Sequence, residues 1–537
     1  LSHSNFSSEH YLFELATPHG NAIPVVFAFP NTYSVGITSL GYQTIWADLA
    51  MRSEVAVSRW FTDACEPLPR YAELLGFSFS WELDYVNILD ALENLGVPIS
   101  SSERGSGLPL VFGGGPVLTA NPEPFADWFD FILLGDGEEL IGNMLAAYQE
   151  VRDRPRHIQL NRLAKVPGIY VPSLYAVTYE SSEGAIASIQ PIDSDIPPTV
   201  TKQTYRGNTL SASAVVTAKA AWESIYMVEV ARSCPEMCRF CLASYLTLPF
   251  RTPSATGSLI PAIDRGLKVT NRLGLLGASI TQHPEFDLLL DYLAQPQLES
   301  VRLSLASVRT NTLTLKLAQT LASRDSRSVT IAVESGSERL RRIINKKLHN
   351  DEIVQAAVNA QMGGLSALKL YGMVGVPGEI DRDLEETIEM LRSLKQVAPK
   401  LRISFGCSTF VPKSHTPWQW MGVDATAERK LKYLQKQLAP KGIDFRPESY
   451  KNSVIQAAIS RGDRRLQALL RLAYEYSGGA VPSDGTYKRA FKELRGQIPP
   501  LKAYVYENWV SDRTLPWQHL HGPLPVSTLQ KHLEASL

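Results

Sequence analysis

The chain is poor in cysteine, with five in 537 residues against 53 Lys and Arg and 54 Asp and Glu. Five thiols cannot build the dense bridging that holds small secreted domains, and the N-terminal segment shows no secretory pattern. No apolar run approaches the roughly 18 residues that a membrane-spanning helix needs. A formal net charge of −1 removes any global electrostatic argument for nucleic acid as a partner. Long disordered tracts are missing too, since 44% apolar and 20% charged residues make ordinary globular material. These absences leave a reducing, cytoplasmic setting and about three domains as the expectation.

What is present is unevenly placed. Three of the five cysteines, Cys234, Cys238 and Cys241, fall in the run Ala231-Arg-Ser-Cys-Pro-Glu-Met-Cys-Arg-Phe-Cys241. That spacing lets one loop wrap three thiolates around a cubane iron–sulfur cluster, whose usual protein ligands are thiolates. The fourth iron is left without a protein ligand, and an open metal position marks a catalytic rather than a structural centre. A zinc site would want a fourth Cys or His nearby, yet the next histidine is His283. Of the other two thiols, Cys407 is expected to be buried packing, as free cysteine usually is.

The expected fold class is α/β. Ile23 to Phe29, Leu74 to Phe79, Leu108 to Phe112 and Phe129 to Leu134 look like buried strands alternating with helical patterns, which implies a Rossmann-like parallel sheet over residues 1–150. Residues 151–213 carry Pro167, Pro172, Pro191, Pro197 and Pro198 and form a connector with some strand content. Residues 214–421 hold six strand candidates: Ile225 to Val230, Leu273 to Ile280, Val301 to Ala306, Val329 to Val333, Ala367 to Met373 and Leu401 to Phe405. Six strand–helix units predict a partial (β/α)6 barrel with its chemistry at the C-terminal strand ends. Residues 422–537 are expected to be mainly helical.

With these residues in place, the chain resembles the radical S-adenosylmethionine (SAM) superfamily. CxxxCxxC follows an apolar strand, and Ser307-Val-Arg309, Glu334-Ser-Gly-Ser337 and Lys369-Leu-Tyr-Gly-Met-Val-Gly-Val-Pro-Gly-Glu379 come after it in the family's order. The resemblance implies a [4Fe-4S] cluster on the three cysteines, SAM chelated through its methionine end by the open iron, and a reductant such as flavodoxin or ferredoxin. It implies Phe240 beside the adenine, Glu334 accepting from the ribose hydroxyls, and Gly375 admitting backbone to the adenine. Ser335 belongs to the same element, with helix capping as its alternative role. Arg309 would pair with the cofactor carboxylate, or be a surface arginine. Gly277 and Ala278 stand where many relatives hold the methionine amino group with a Gly-Gly-Glu-like element, but no Glu is present here.

In the first domain, Asn31-Thr-Tyr33-Ser-Val-Gly36 fits the frame of a cobalamin signature, D-x-H-x-x-G, without its histidine. Ser78-Phe-Ser80 and Gly113-Gly114-Gly115 resemble the elements that cradle the corrin's nucleotide tail. The chain is thus similar to radical enzymes with a cobalamin-binding-like first domain, some of which bind cobalamin and some of which keep only the fold. Asn121-Pro-Glu-Pro-Phe-Ala126, Gly135-Asp-Gly-Glu138, Pro412 to Trp420 and Ser460-Arg-Gly-Asp-Arg-Arg465 extend the resemblance over nearly the whole chain. It implies a C–H functionalising enzyme, with cobalamin-assisted methylation or rearrangement as the leading reaction. The alternatives are a cobalamin-free modification of RNA or protein, or a binding module with a structural cluster. Methylthiolation is disfavoured, because it needs three more cysteines in the first domain and only Cys65 is there.

Three further features allow two roles each. Arg251 is a candidate anion-binding residue. His415, Trp418 and Trp420 could stack a planar substrate, though packing is favoured. Arg461, Arg464 and Arg465 could contact RNA phosphates, though a solvated helix face is favoured.

Overall fold

The computed structural model describes residues 5–536. Two parallel sheets organise it. The first contains β1 (Ile23–Ala28), β2 (Val55–Trp60), β3 (Leu74–Ser78), β4 (Leu110–Gly114), β5 (Phe131–Leu133) and β6 (Ile169–Tyr170), in the order β2-β1-β3-β4-β5-β6. All neighbours are parallel except β5 and β6. The first five strands thus have the flavodoxin-like order 2-1-3-4-5 rather than the classical dinucleotide-binding order, with the switch point between β1 and β3. β2 was not among the expected strands, because Val55-Ala-Val-Ser-Arg-Trp60 carries an arginine mid-strand. Arg59 is fully buried, paired with Glu9 and Glu66 at 2.7 Å each and covered by the Trp46 ring.

The second parallel layer runs through β7 (Ile225–Ala231), β8 (Arg272–Gly277), β9 (Arg302–Leu305), β10 (Ser328–Glu334), β11 (Ala367–Val374), β12 (Arg402–Thr409) and β13 (Asp444–Pro447). Ladders join β7-β8-β9 and β10-β11-β12-β13, and a parallel bridge between Val308 and Ile331 links the two runs. Among the described residues no ladder returns from β13 to β7, so the barrel is open. The seventh strand comes from the region expected to be helical. Its sequence, Asp-Phe-Arg-Pro, is short and polar and ends in proline, which suits an edge strand.

The C-terminal region is otherwise helical, and it turns back onto the first domain. The Asn121 amide donates to the carbonyls of Ser460 and Gly462 at 3.2 and 2.8 Å, and Glu123 pairs with Arg464 at 2.7 Å. Two of the sequence motifs therefore meet across more than 300 residues of chain. One apolar core joins the first sheet to these C-terminal helices, and a second lies between the open barrel and its own helices.

Candidate active site at the mouth of the open barrel

β7 ends at Ala231, and the next ten residues form the cysteine loop. Among the described residues, seven that are not glycine have positive φ, and four of them, Ser233, Met237, Glu334 and Asn345, belong to this loop, to the end of β10 or to the turn that ends the helix Glu338–Ile344. Backbone strain of this kind persists only where surrounding contacts hold it, and it concentrates at functional sites. The contacts are explicit. Asn345 caps the helix Glu338–Ile344 in a left-handed conformation and donates from its amide to the Met237 carbonyl at 2.8 Å. The Arg239 guanidinium donates to the carbonyls of Ile343 at 2.6 Å and His532 at 2.7 Å, tying the loop to that helix and to the C-terminal helix Val526–Glu534. Tyr245 donates to the Met237 carbonyl at 3.1 Å.

All three thiols of the loop are free. Burial pushes the Cys238 thiol up to about 12, against the pull of Lys346, and burial also raises Cys241. Such thiols ionise only when a cation holds them, and metal coordination does this. Among the described residues no three ligating side chains converge as they would on a single metal ion. Three thiols spread along one wrapped loop fit a multi-iron cluster, in which each sulfur binds a different iron. Phe240 is half-buried between the second and third cysteines, against the apolar core.

Glu334, the last residue of β10, is buried at 7% exposure with φ of 65°. Its carboxylate pairs with Lys346 at 3.0 Å. Burial disfavours the Lys346 ammonium, but Glu334 and Cys238 outweigh it and raise the pKa. Sequence reasoning missed Lys346. Ser335 is structural: its hydroxyl accepts from the Ser337 amide at 3.1 Å, and Ser337 caps the following helix. Gly375 has φ of 72°, and its amide donates to Glu379 at 2.7 Å, which in turn pairs with Lys430. Gly277 has φ of 151° and lies so close to β7 that a Cβ would stand 2.6 Å from the Ala231 carbonyl oxygen. Arg309 does not present a free fork. It pairs with Glu236 of the cysteine loop at 2.8 Å and donates to the Lys347 carbonyl at 2.7 Å.

A cavity of about 490 Å³ opens between the C-terminal strand ends of the two sheets. Phe27, Phe77, Ser78, Phe112 and Gly114 line it from the first domain, and Arg232, Ser233, Gly277 and Ala278 from the barrel. Gly113 sits behind the wall, packed on Leu118 and Phe129. Asn31, Tyr33 and Gly36 do not line this cavity. Tyr33 is buried and donates to Glu9 at 2.6 Å; Gly36 lies against the Phe61 ring. Asn31 donates to Asp84 at 3.1 Å, and burial pushes the Asp84 carboxyl up to about 6. The cavity therefore opens at the switch point of the first sheet, and the Asn31 to Gly36 loop lends no side chain to it.

Charges wire the cavity's other side. Asp136 of the Gly135-Asp-Gly-Glu138 motif pairs with Arg232 at 3.3 Å and with Arg251 at 2.6 Å, and Arg232 also pairs with Glu138 and Glu229 at 2.7 Å each. Arg251 is thus spent on Asp136. Trp418 and Trp420 are buried packing, and burial drops His415 to about 4. The arginine cluster is internal, which corrects the expectation of a solvated face. Arg461 lies over Trp509 at 3.7 Å, Arg464 is on Glu123, and Arg465 lies over Tyr179 at 3.9 Å. A larger cavity of about 620 Å³ lies elsewhere, but its Arg104 and Arg156 already share Asp130.

Residues 42–172 match the family described as radical SAM proteins, N-terminal, and residues 228–391 match the radical SAM superfamily. The chain is 26% identical over 452 residues to an uncharacterised protein of Methanocaldococcus jannaschii, covering 83% of this chain and 90% of that one. It is 26% identical over 263 residues to the tRNA-2-methylthio-N(6)-dimethylallyladenosine synthase of Rickettsia canadensis, covering 44% and 55%. Among solved structures, the radical SAM methyltransferase TsrM from Kitasatospora setae, with cobalamin and a [4Fe-4S] cluster bound, aligns with a TM-score of 0.50 at 13% identity. That match covers 74% of this chain and 77% of the other. At such identity the likeness is one of fold.

Proposed function

We propose that this chain, which belongs to the radical SAM superfamily and is an enzyme, uses its three-cysteine loop to bind a [4Fe-4S] cluster and cleave SAM reductively. When bound, the cluster supplies one electron to SAM, giving methionine and a 5'-deoxyadenosyl radical able to take hydrogen from an unactivated C–H bond. The observation that carries this reading is the packing of the cysteine loop against the Glu334–Lys346 pair, at the C-terminal strand ends of an open parallel barrel. Active sites of such barrels sit at that end.

The protein's own residues have separate tasks. Cys234, Cys238 and Cys241 hold the cluster. Arg239, Asn345 and Tyr245 fix the loop that carries them. Glu334 supplies acceptors for sugar hydroxyls, with Lys346 holding its charge in place. The Gly277 turn brings β8 against β7, and to the backbone carbonyls of Gly277 and Ala278 we assign the cofactor's ammonium group.

The second cofactor we assign to the cavity is cobalamin, which Ser78 and Gly114 would hold and which would supply methyl-transfer or rearrangement chemistry there. Methylthiolation is unsupported, since Cys65 alone of the first domain's residues is a thiol and it is buried. The test is an electron paramagnetic resonance spectrum of the reduced, reconstituted protein with and without SAM. A changed cluster signal on SAM addition supports an open iron. An unchanged signal contradicts it.

A further inference from the structure

The inner face of the open barrel is uncovered along β9 and β11, whereas β7 is buried along nearly its whole length. Along β11 burial alternates: Leu368, Leu370 and Gly372 are buried toward the helices, whereas Lys369 and Tyr371 are exposed. β9 repeats this with Ser304 exposed and Leu303 buried. Parallel strands covered on both faces read as continuous apolar runs, so alternation along β9 and β11 means that this part of the inner face has no protein cover.

The register places the inner residues in rungs. Thr330, Lys369 and Ser404 lie side by side, and Ala332, Tyr371 and Gly406 form the next rung toward Glu334. β13 extends the rungs with Asp444 beside Ser404 and Arg446 beside Gly406, and these two pair with each other at 2.6 Å, which leaves Lys369 as the unpaired charge of these rungs and Tyr371 as their exposed ring. Lys369 has no ion-pair or hydrogen-bond partner among the described residues. Tyr371 is 54% exposed at the centre of a parallel sheet. Its ring lies against the bare Cα of Gly406, with Cδ1 and Cε1 both 2.9 Å from where a Cβ would stand. Exposed Arg402 lies toward the N-terminal strand ends, whereas Arg302 is already paired with Asp325 at 3.3 Å.

We propose that this face is the substrate platform and that it selects a planar small molecule bearing an oxyanion, with Lys369 pairing the anion and Tyr371 stacking the plane. The purpose of the site rests on the proposed radical chemistry, but binding to it does not. An unpaired ammonium one rung beyond an exposed ring gives charge complementarity and a flat contact together. Gly406 leaves the room in which the ring lies down, and Glu334 at the rim puts the platform beside the SAM element.

The test is competitive acetylation of lysines in the full chain, read by mass spectrometry, with phenyl phosphate, benzoate or neutral benzamide as probe. Phenyl phosphate or benzoate should slow labelling of Lys369 several-fold while exposed Lys268 is unaffected, and benzamide should not. The stronger of the two anions identifies phosphate or carboxylate as the substrate's group. Tyr371→Ala should remove the protection given by either aromatic anion while leaving Lys369 reactive. Protection equal for benzamide, or equal at Lys268, overturns the proposal. Protection in a protein that never cleaves SAM would sink the catalytic reading alone, and cleavage without protection would sink this one alone.

Discussion

The two parallel sheets obey different rules. In the first, β1 reads Ile-Pro-Val-Val-Phe-Ala with five of its six residues buried, and the first four residues of both β3 and β4 are buried. In the second, β10 and β11 alternate between buried and open positions, although β7 is buried at six of its seven residues and β12 from Ile403 to Phe405. The first sheet is sandwiched and offers only its strand ends to a ligand, as the aromatic and glycine wall of the interdomain cavity. The second offers its ends and the inner side of β9 to β11. A parallel sheet that keeps a naked face forgoes the burial that stabilises the other, at roughly 25 cal/mol per Å². That face is therefore where we place the substrate.

The largest effect should come from the cysteine loop. Cys238→Ala is expected to abolish visible iron–sulfur absorbance and deoxyadenosine formation while circular dichroism stays native. Cys407→Ala, a thiol buried toward the barrel's helices, should keep both and lose only about 1 kcal/mol. If Cys407→Ala lost the cluster instead, the division of thiols between the two faces would be wrong.

Next in size is a direct exchange between the sheets. Val26→Lys puts an ammonium into the covered sheet at a position 3% exposed, and should cost about 3 kcal/mol or more in thermal or denaturant unfolding. Lys369→Leu on the naked face should change stability by no more than about 0.5 kcal/mol. Similar costs for the two would erase the comparison.

The Glu334–Lys346 pair should behave as a buried ion pair. Glu334→Ala leaves Lys346 without its counter-charge and is expected to cost about 3–5 kcal/mol. The double variant Glu334→Gln with Lys346→Met should recover much of that stability without recovering SAM binding, measured by calorimetry. Recovery of both would make the pair purely structural.

A smaller effect on stability, with a sharp one on binding, is expected at Gly41. It lines the cavity, and nothing lies within 4 Å of a Cβ built there. Gly41→Phe should leave the melting temperature nearly unchanged, block cobalamin uptake followed by its visible spectrum, and spare SAM cleavage. Undiminished uptake would move cobalamin out of this cavity.

The smallest effect is one of pH. Burial lowers His415 to about 4, from an ordinary value near 6.5, so between these values the unfolded chain binds the extra proton. Stability from this residue is complete above about pH 6.5 and drains away as pH falls toward 4. His415→Asn, which tolerates the left-handed backbone at φ of 58°, should flatten that part of the melting-temperature profile. An unchanged profile would assign the acid sensitivity elsewhere.

Local chemistry was legible in the sequence and long-range pairing was not. The cysteine spacing, the strand ends at Glu334 and Gly375 and the six barrel strands are carried by neighbouring residues, and periodicity reveals them. β2 was hidden because Arg59 finds its carboxylates at Glu9 and Glu66, one of them fifty residues away. The arginines of Ser460 to Arg465 looked solvated for the same reason, since Glu123 and Trp509 lie far along the chain. Tyr33 matched a cofactor-binding frame by spacing, yet Glu9 takes its hydroxyl. Lys346 carried no local signal at all, since only the helix between it and Glu334 brings them together.

The most direct test of the account is product analysis under anaerobic conditions. Reconstituted protein is given SAM and a strong reductant, and 5'-deoxyadenosine is quantified by mass spectrometry beside the Cys238→Ala variant. The account predicts deoxyadenosine from the native chain and none above background from the variant. Equal amounts from both, or none from a native chain shown to carry its cluster and bind SAM, would contradict it.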